Sequence, residues 1–188
     1  MSHYIDIHLR PDPELPSHQL MDALYAKLHR ALVQLQLARV GVSFPGYQET
    51  PPALGKTLRL IGPKDTLEQL MAHAWLQGMR DHVDTREIAS VPDDATHRCL
   101  RRVQAKSNPE RLRRRQMRRH ALNEEQARVR IPDSTAEVLR LPFVTMRSTS
   151  TGHTFPLFLQ LGPPLLSAEP DGEFNSYGLS STATIPWF

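Results

Sequence analysis

Apolar and polar residues alternate along Tyr4-Ile5-Asp6-Ile7-His8-Leu9, the period of two of a half-buried strand. The period then changes. From Pro16 to Gln36 the apolar positions Leu20, Leu24, Leu28, Ala31 and Leu35 recur at helical spacing and predict one buried helix face. Val40-Gly41-Val42-Ser43-Phe44 and Leu58-Arg59-Leu60-Ile61 read as two strands, separated by a Pro/Gly-rich stretch from Pro45 to Gly55. A second helix is predicted with Asp65 as cap, Glu68 three residues on, and an apolar face of Leu67, Leu70, Met71, Ala74 and Met79. Val83 to Val91 supplies a fourth strand. The succession β-α-β-β-α-β predicts an α+β fold with a ferredoxin-like N-terminal domain, a plan shared with RNA-recognition modules. No strand carries the stacking aromatics of such a module, so the plan alone does not imply RNA binding.

The second half is less regular, and Pro92 to Thr96 reads as a linker. The expected organisation is a domain at 1–92, a linker at 93–107 and a smaller α+β domain at 108–188. In Asn108-Pro109-Glu110, a cap, a proline at the first helical position and an acid near the positive dipole end start a helix over 109–120. Asn123 caps a short helix containing Glu124, Glu125 and Gln126, which Pro132 ends. Leu141 to Thr149 and Phe155 to Leu161 resemble strands joined around Thr151-Gly152, and Ile185 to Phe188 a final edge strand.

Charge adds what periodicity does not show. The 188 residues carry a net +3, yet residues 98–120 hold ten of the 23 Lys and Arg with Glu110 as the one acid, a local +9. Elsewhere 13 basic residues face 19 acidic ones, a balance of −6. An acidic body with one basic segment aims that segment at a defined polyanion and repels polyanions elsewhere. The 16 prolines, against 9 glycines, argue for short punctuated elements. No run approaches the roughly 18 apolar residues of a membrane span, and Met1 to Arg10 lacks a signal-peptide pattern. A cytoplasmic protein without a membrane partner is expected. Cys99 is the single cysteine, which excludes an intramolecular disulfide and a thiolate metal cage and leaves an inert thiol as its reading.

At 100° per residue, Arg111, Arg114, Arg115, Arg118 and Arg119 share an arc of roughly 140°, while Leu112, Arg113, Gln116 and Met117 point elsewhere. Three like-charged i, i+4 pairs on that face each cost about 0.2–0.5 kcal/mol. A solvated basic face or a distant acidic partner is one reading. The preponderance of Arg, whose planar fork fits phosphate bidentately, favours nucleic acid, with RNA and DNA undecided on this ground. Arg102 and Gln104, alternating on an extended stretch, fit guanine and adenine edges.

Candidates for chemistry are few. Asp81-His82-Val83-Asp84, Asp93-Asp94, and Asp6 with His8 read as ordinary surface groups, so no metal site is expected. P-loop, dinucleotide and G-x-S-x-G motifs are absent, so no cofactor is expected. Metal-free RNA cleavage needs a base to activate the ribose 2′-hydroxyl, and a positioned histidine contributes about 10² to 10⁴ in rate. Nine histidines are available. His29 sits one step off the Leu24/Leu28 stripe, where its ring can project from the core edge, or serve simply as a core-edge histidine. Ser148 and Ser150, two apart on one strand face, can hold a ribose or phosphate, or only face solvent.

The block from Arg102 through Lys106-Ser107-Asn108-Pro109-Glu110-Arg111 to His120 closely resembles the type I-F CRISPR-associated endoribonuclease that processes precursor CRISPR RNA. The resemblance extends over essentially the whole chain, through His3 to Pro13, Gly41-Val42-Ser43-Phe44-Pro45, Phe143-Val144-Thr145, Arg147-Ser148 and Pro186-Trp187-Phe188. It implies that the second domain presents Arg111, Arg114, Arg115, Arg118, Arg119 and His120 to the major groove of a CRISPR repeat RNA hairpin, entered from the open end of a short stem. It further implies that Arg102 and Gln104 read bases near the bottom of the stem and that Phe155 stacks beneath the last pair. His29 would act on the 2′-hydroxyl, Ser148 would anchor the ribose, Tyr177 would place the histidine, and Ser150 would contact substrate.

The products implied are a 2′,3′-cyclic phosphate and a 5′-hydroxyl, formed without metal or other cofactor. The product would stay bound, together with other subunits of a type I-F RNA-guided complex. Pro156, directly after Phe155, departs from the pattern: it removes a ladder donor and puts the aromatic's position at issue. A non-catalytic RNA-hairpin-binding subunit and a DNA-binding accessory protein are the competing readings.

Overall fold

Burial alternates along β1 (His3–Leu9): Ile5, Ile7 and Leu9 enter the core, while Tyr4, Asp6 and His8 face the other way. A computed structural model of the chain describes residues 1–105, 109–132, 139–168 and 172–188. In it β1 lies between β5 (Thr57–Gly62) and β6 (Val83–Thr85), antiparallel to both, with Ile7 opposite Leu58 and Leu9 opposite Val83. β2 (Gly41–Ser43) lines the outer side of β5, giving the order β2-β5-β1-β6. Each of the helices α1 (Ser17–Leu35) and α2 (Lys64–Ala72) joins strands separated by one other strand, and both pack on β1. The fold is α+β.

On the opposite face, Arg59 grips Asp6 across the β1–β5 pair at 2.7 and 2.9 Å. Its guanidinium lies 4.7 Å from the Tyr4 ring and 3.9 Å from that of Phe188, and it donates to the Phe188 backbone oxygen at 2.8 Å. A charge only 8% exposed is therefore paired, hydrogen-bonded and covered by aromatic rings.

Several boundaries differ from those expected. α2 starts directly after Pro63, so Asp65 falls inside the first turn instead of capping it, and Glu68 pairs with Lys64 at 3.9 Å. It ends at Ala72, where His73 turns extended, so Ala74 and Met79 lie beyond it. The strand expected over 83–91 is broken. β6 and β7 (Ala89–Ser90) both pair with β1, but one extra residue between them forms a bulge. Within the Pro/Gly-rich stretch, β3 (Gln48–Glu49) and β4 (Pro52–Ala53) form a small ribbon.

The expected linker holds two strands. β8 (Thr96–Arg98) pairs with β12 (Ile185–Trp187), and β9 (Leu100–Val103) joins β10 (Phe143–Arg147) and β11 (Thr154–Leu161) in a sheet of order β10-β11-β9. Because β10 also packs on α1, residues 1–103 and 141–188 form one compact unit, and 104–140 a second. Contacts thus group the chain otherwise than the 1–92, 93–107 and 108–188 division.

The second unit contains α3 (Pro109–His120) and α4 (Glu124–Arg130). Asn123 caps α4 as expected: its Oδ1 accepts from the Gln126 N–H at 2.8 Å, and Gln126 Oε1 accepts from the Asn123 N–H at 3.1 Å. The cap expected for α3, Asn108, lies outside the described residues. Arg113 is buried and donates from Nε to the Ile131 carbonyl at 2.7 Å, fastening the end of α4 to α3. No helix among the described residues is long and apolar enough to cross a membrane.

Candidate active site and nucleic-acid interface

The middle of α1 carries two aromatic side chains one turn apart, Tyr25 inside the core and His29 at its edge. Both reach the loop at 175–179. The Tyr25 hydroxyl donates to the Tyr177 carbonyl at 2.7 Å, and His29 Nδ1 lies 2.8 Å from the Ser176 carbonyl. A carbonyl only accepts, so Nδ1 carries the proton and the neutral ring leaves Nε2 with an open lone pair. The imidazole stacks on the Tyr177 ring, with centroids 4.0 Å apart and planes 4° from parallel. Burial pushes the Tyr25 phenol well above its ordinary value, so it remains a neutral donor at neutral pH.

The loop itself is fixed from both sides. Asn175 Oδ1 accepts from the N–H groups of Tyr177 and Leu179 at 2.9 and 3.2 Å, and the Gly178 carbonyl accepts from the Val42 N–H at 3.0 Å on β2. Gly178 has φ +70°, and a Cβ there would lie 2.6 Å from Val42 Cγ1, so only glycine lets the loop approach β2 this closely.

Ser148 follows β10 and shares a pocket of about 490 Å³ with His29, Arg30 and Arg147. Its Oγ lies 3.1 Å from Ser150 Oγ and accepts from the Thr151 N–H at 3.2 Å, so both serines belong to the turn at Thr151-Gly152. Asp22, two turns before His29 on α1, accepts the Thr145 N–H at 2.8 Å. That bond ties the strand leading to Ser148 to the helix carrying His29.

Pro156 costs no ladder bond. The Leu159 N–H donates to the Pro142 carbonyl at 2.8 Å and the His153 carbonyl accepts from the Ser148 N–H at 2.9 Å, so odd positions of β11 face β10. Pro156 faces the other way, beyond Phe158, where pairing with β9 stops. Its missing N–H thus has no ladder partner to lose, which corrects the expected loss of a ladder donor there. Phe155 is half-buried against the core, and the Arg102 guanidinium sits 5.4 Å from its ring centroid. Arg102 belongs to β9, opposite Leu159. Gln104 is exposed in the second unit.

In α3, Arg111, Arg114, Arg115, Arg118 and Arg119 are all exposed and together line a groove of about 740 Å³, the face that helical spacing predicts. His120, also exposed, closes the helix and does not line that groove. Among the described residues no group of three or more His, Cys, Asp or Glu is arranged to hold a metal ion.

Residues 4–188 match the family described as CRISPR-associated protein (Cas_Csy4). The chain belongs to this family. It is 55% identical over 188 residues to the CRISPR-associated endonuclease Cas6/Csy4 of Pseudomonas aeruginosa (strain UCBPP-PA14), covering 100% of both chains. It is 44% identical, again over 188 residues and 100% of both chains, to the CRISPR-associated endonuclease Cas6/Csy4 of Escherichia coli (strain UTI89 / UPEC). Membership of the Csy4 family makes the chain an enzyme of the endonuclease class. The candidate site stacks His29 on Tyr177 and places it in one pocket with Ser148, and Tyr25, Asp22 and Asn175, which sequence reasoning missed, fasten the elements that carry them. For Tyr25 a signal was present, since it lies four residues before His29 on the buried side of the helix.

Proposed function

We propose that the chain is a metal-independent, hairpin-specific endoribonuclease that cleaves precursor CRISPR RNA within its repeats and keeps the hairpin product. The observation that carries the reading is the His29 ring, whose tautomer is fixed by the Ser176 carbonyl and whose plane is fixed by Tyr177, in a pocket shared with Ser148. An imidazole so held acts as a general base through Nε2. It takes the proton of a ribose 2′-hydroxyl, O2′ bonds to the adjacent phosphorus, and the bond from phosphorus to O5′ breaks. The net proton movement is from O2′ to O5′, leaving a 2′,3′-cyclic phosphate and a 5′-hydroxyl.

Ser148 holds the ribose in register, and Ser150 supports Ser148 and meets the substrate. The arginine face of α3, with His120 at its end, takes the stem phosphates and groove, since five guanidinium groups on one face suit phosphate oxygens. Arg102 and Gln104 read base edges at the foot of the stem, and Phe155 closes the stem from below. Retention of the product follows from placing the binding groups on the stem and not on the cut, and it suits a subunit of a CRISPR RNA-guided complex.

The test is cleavage of a repeat hairpin in excess EDTA by the wild type and by His29→Ala. Cleavage by the wild type with loss in the variant, at hairpin affinity kept within a few fold, supports the reading. Binding without cleavage by the wild type would identify a non-catalytic subunit. Equal affinity for DNA of the same sequence would identify a DNA-binding protein.

A further inference from the structure

Three pockets run in series away from His29, the first two sharing Arg30 and the last two His73 and Ala74. The first, already described, contains His29, Ser148, Arg147 and Arg30. Arg30 also lines a second pocket, of about 410 Å³, together with Lys27, Gln34 and His73. His73 also lines a third, of about 320 Å³, with Arg80 and Thr85. Among the described residues no carboxylate lines any of the three. Outside residues 98–120 the chain has more acidic than basic residues, so an acid-free path with three arginines and a lysine departs from the local average.

The cations are also braced. Lys27 Nζ donates to the Gln77 carbonyl at 2.7 Å, Arg30 Nε to the Ala26 carbonyl at 3.3 Å, and Arg147 Nε to the Gly152 carbonyl at 3.2 Å. Arg30 and Arg147 are thus anchored through Nε, with their Nη donors left for a ligand. Arg102 and Phe155, the residues at the foot of the stem, line none of the three pockets.

We propose that this path binds the sugar-phosphate backbone of the single strand that continues past the scissile phosphate, away from the hairpin. The proposal rests on the endoribonuclease reading and extends it from the hairpin to the flanking RNA. A polar, cation-lined path whose one large aromatic ring, Trp75, is buried recognises phosphates and not bases, so the strand it takes is bound irrespective of its sequence. Its effect is to draw the strand taut beyond the cut and hold the scissile phosphate against His29.

The test compares two hairpins bound by the wild-type protein, each with a 2′-deoxyribose at the cut to keep it whole. One ends shortly after the cut, and the other continues as a longer single-stranded tail. The tail is expected to tighten binding several-fold and to steepen the salt dependence by roughly 0.7 in logarithmic slope for each phosphate engaged. A tail of scrambled sequence should give the same increments. Combining His73→Glu with Arg80→Glu, at two exposed positions, should remove both increments while leaving the short hairpin's affinity unchanged, and Arg80→Lys should keep them.

Equal affinity of the two RNAs for the wild type overturns the proposal whatever the variants do. So does a tail effect that survives the double substitution or depends on the tail's sequence. Failure of the short hairpin itself to bind would instead bring down the endoribonuclease reading, and the path with it.

Discussion

The imidazole of His29 lies flat on the phenol of Tyr177, 4.0 Å away and 4° from parallel, while its Nδ1 donates to the carbonyl of Ser176 one residue earlier. One loop thereby sets both the plane of the ring and its tautomer. The stack needs a planar ring and not the hydroxyl, so Tyr177→Phe should cleave within about three-fold of the wild type. Tyr177→Ala frees the ring to tilt, and a misplacement of about 1 Å costs on the order of 10²-fold in rate. Single-turnover cleavage with a parallel binding titration checks this; equal loss in both variants would assign the role to the hydroxyl.

Tyr25 holds the same loop from inside the core, and Tyr25→Phe removes one hydrogen bond while keeping the ring. The expected cost is about 1 kcal/mol in urea unfolding, with a several-fold slower cleavage step and unchanged hairpin affinity. A variant that lost stability but cleaved at the wild-type rate would separate the loop's anchoring from its catalytic geometry.

Much of this arrangement was legible in the chain, for reasons that differ by element. β1, α1 and β5 announce themselves because one face of each is buried, and the periods of two and of 3.6 follow directly. The arginine face of α3 is a matter of helical spacing alone, and it lines one groove as that spacing requires. β8 and β9 stayed hidden in the expected linker because Thr96-His97-Arg98 and Leu100 to Val103 carry little alternation and owe their extended form to partners about 60 to 90 residues away in sequence. His29, Ser148 and Tyr177 were nameable through resemblance. The bonds from Tyr25 and Asp22 that fasten the elements carrying them are tertiary, and those of Asn175 close a local turn, so none leaves a periodic trace.

Replacing Arg114, Arg115, Arg118 or Arg119 by Ala should weaken hairpin binding and lower the slope of log affinity against log salt by roughly 1 for each phosphate that the variant no longer neutralises. Binding measured across a salt series decides it. Four unchanged slopes would remove α3 from the interface.

Arg102, whose guanidinium lies 5.4 Å from the Phe155 ring centroid, is proposed to read a base and not a phosphate. Arg102→Ala should cost about 1–3 kcal/mol on the cognate stem and little on a stem with the lower pairs inverted. Competition between the two stems measures this, and equal losses on both would argue against direct readout.

The central claim is that the nucleophile is the RNA's own 2′-hydroxyl, activated by His29. It is tested most directly with a repeat hairpin carrying a single 2′-deoxyribose immediately upstream of the cut, assayed beside the all-ribose hairpin, both in EDTA. The deoxy hairpin presents every phosphate to the arginine face but offers His29 no proton to remove. It should bind within a few fold of normal and stay intact, while the all-ribose hairpin is cleaved in the same buffer to a 2′,3′-cyclic phosphate. Cleavage of the deoxy hairpin at the normal rate would contradict the account, because the attacking oxygen would then come from water.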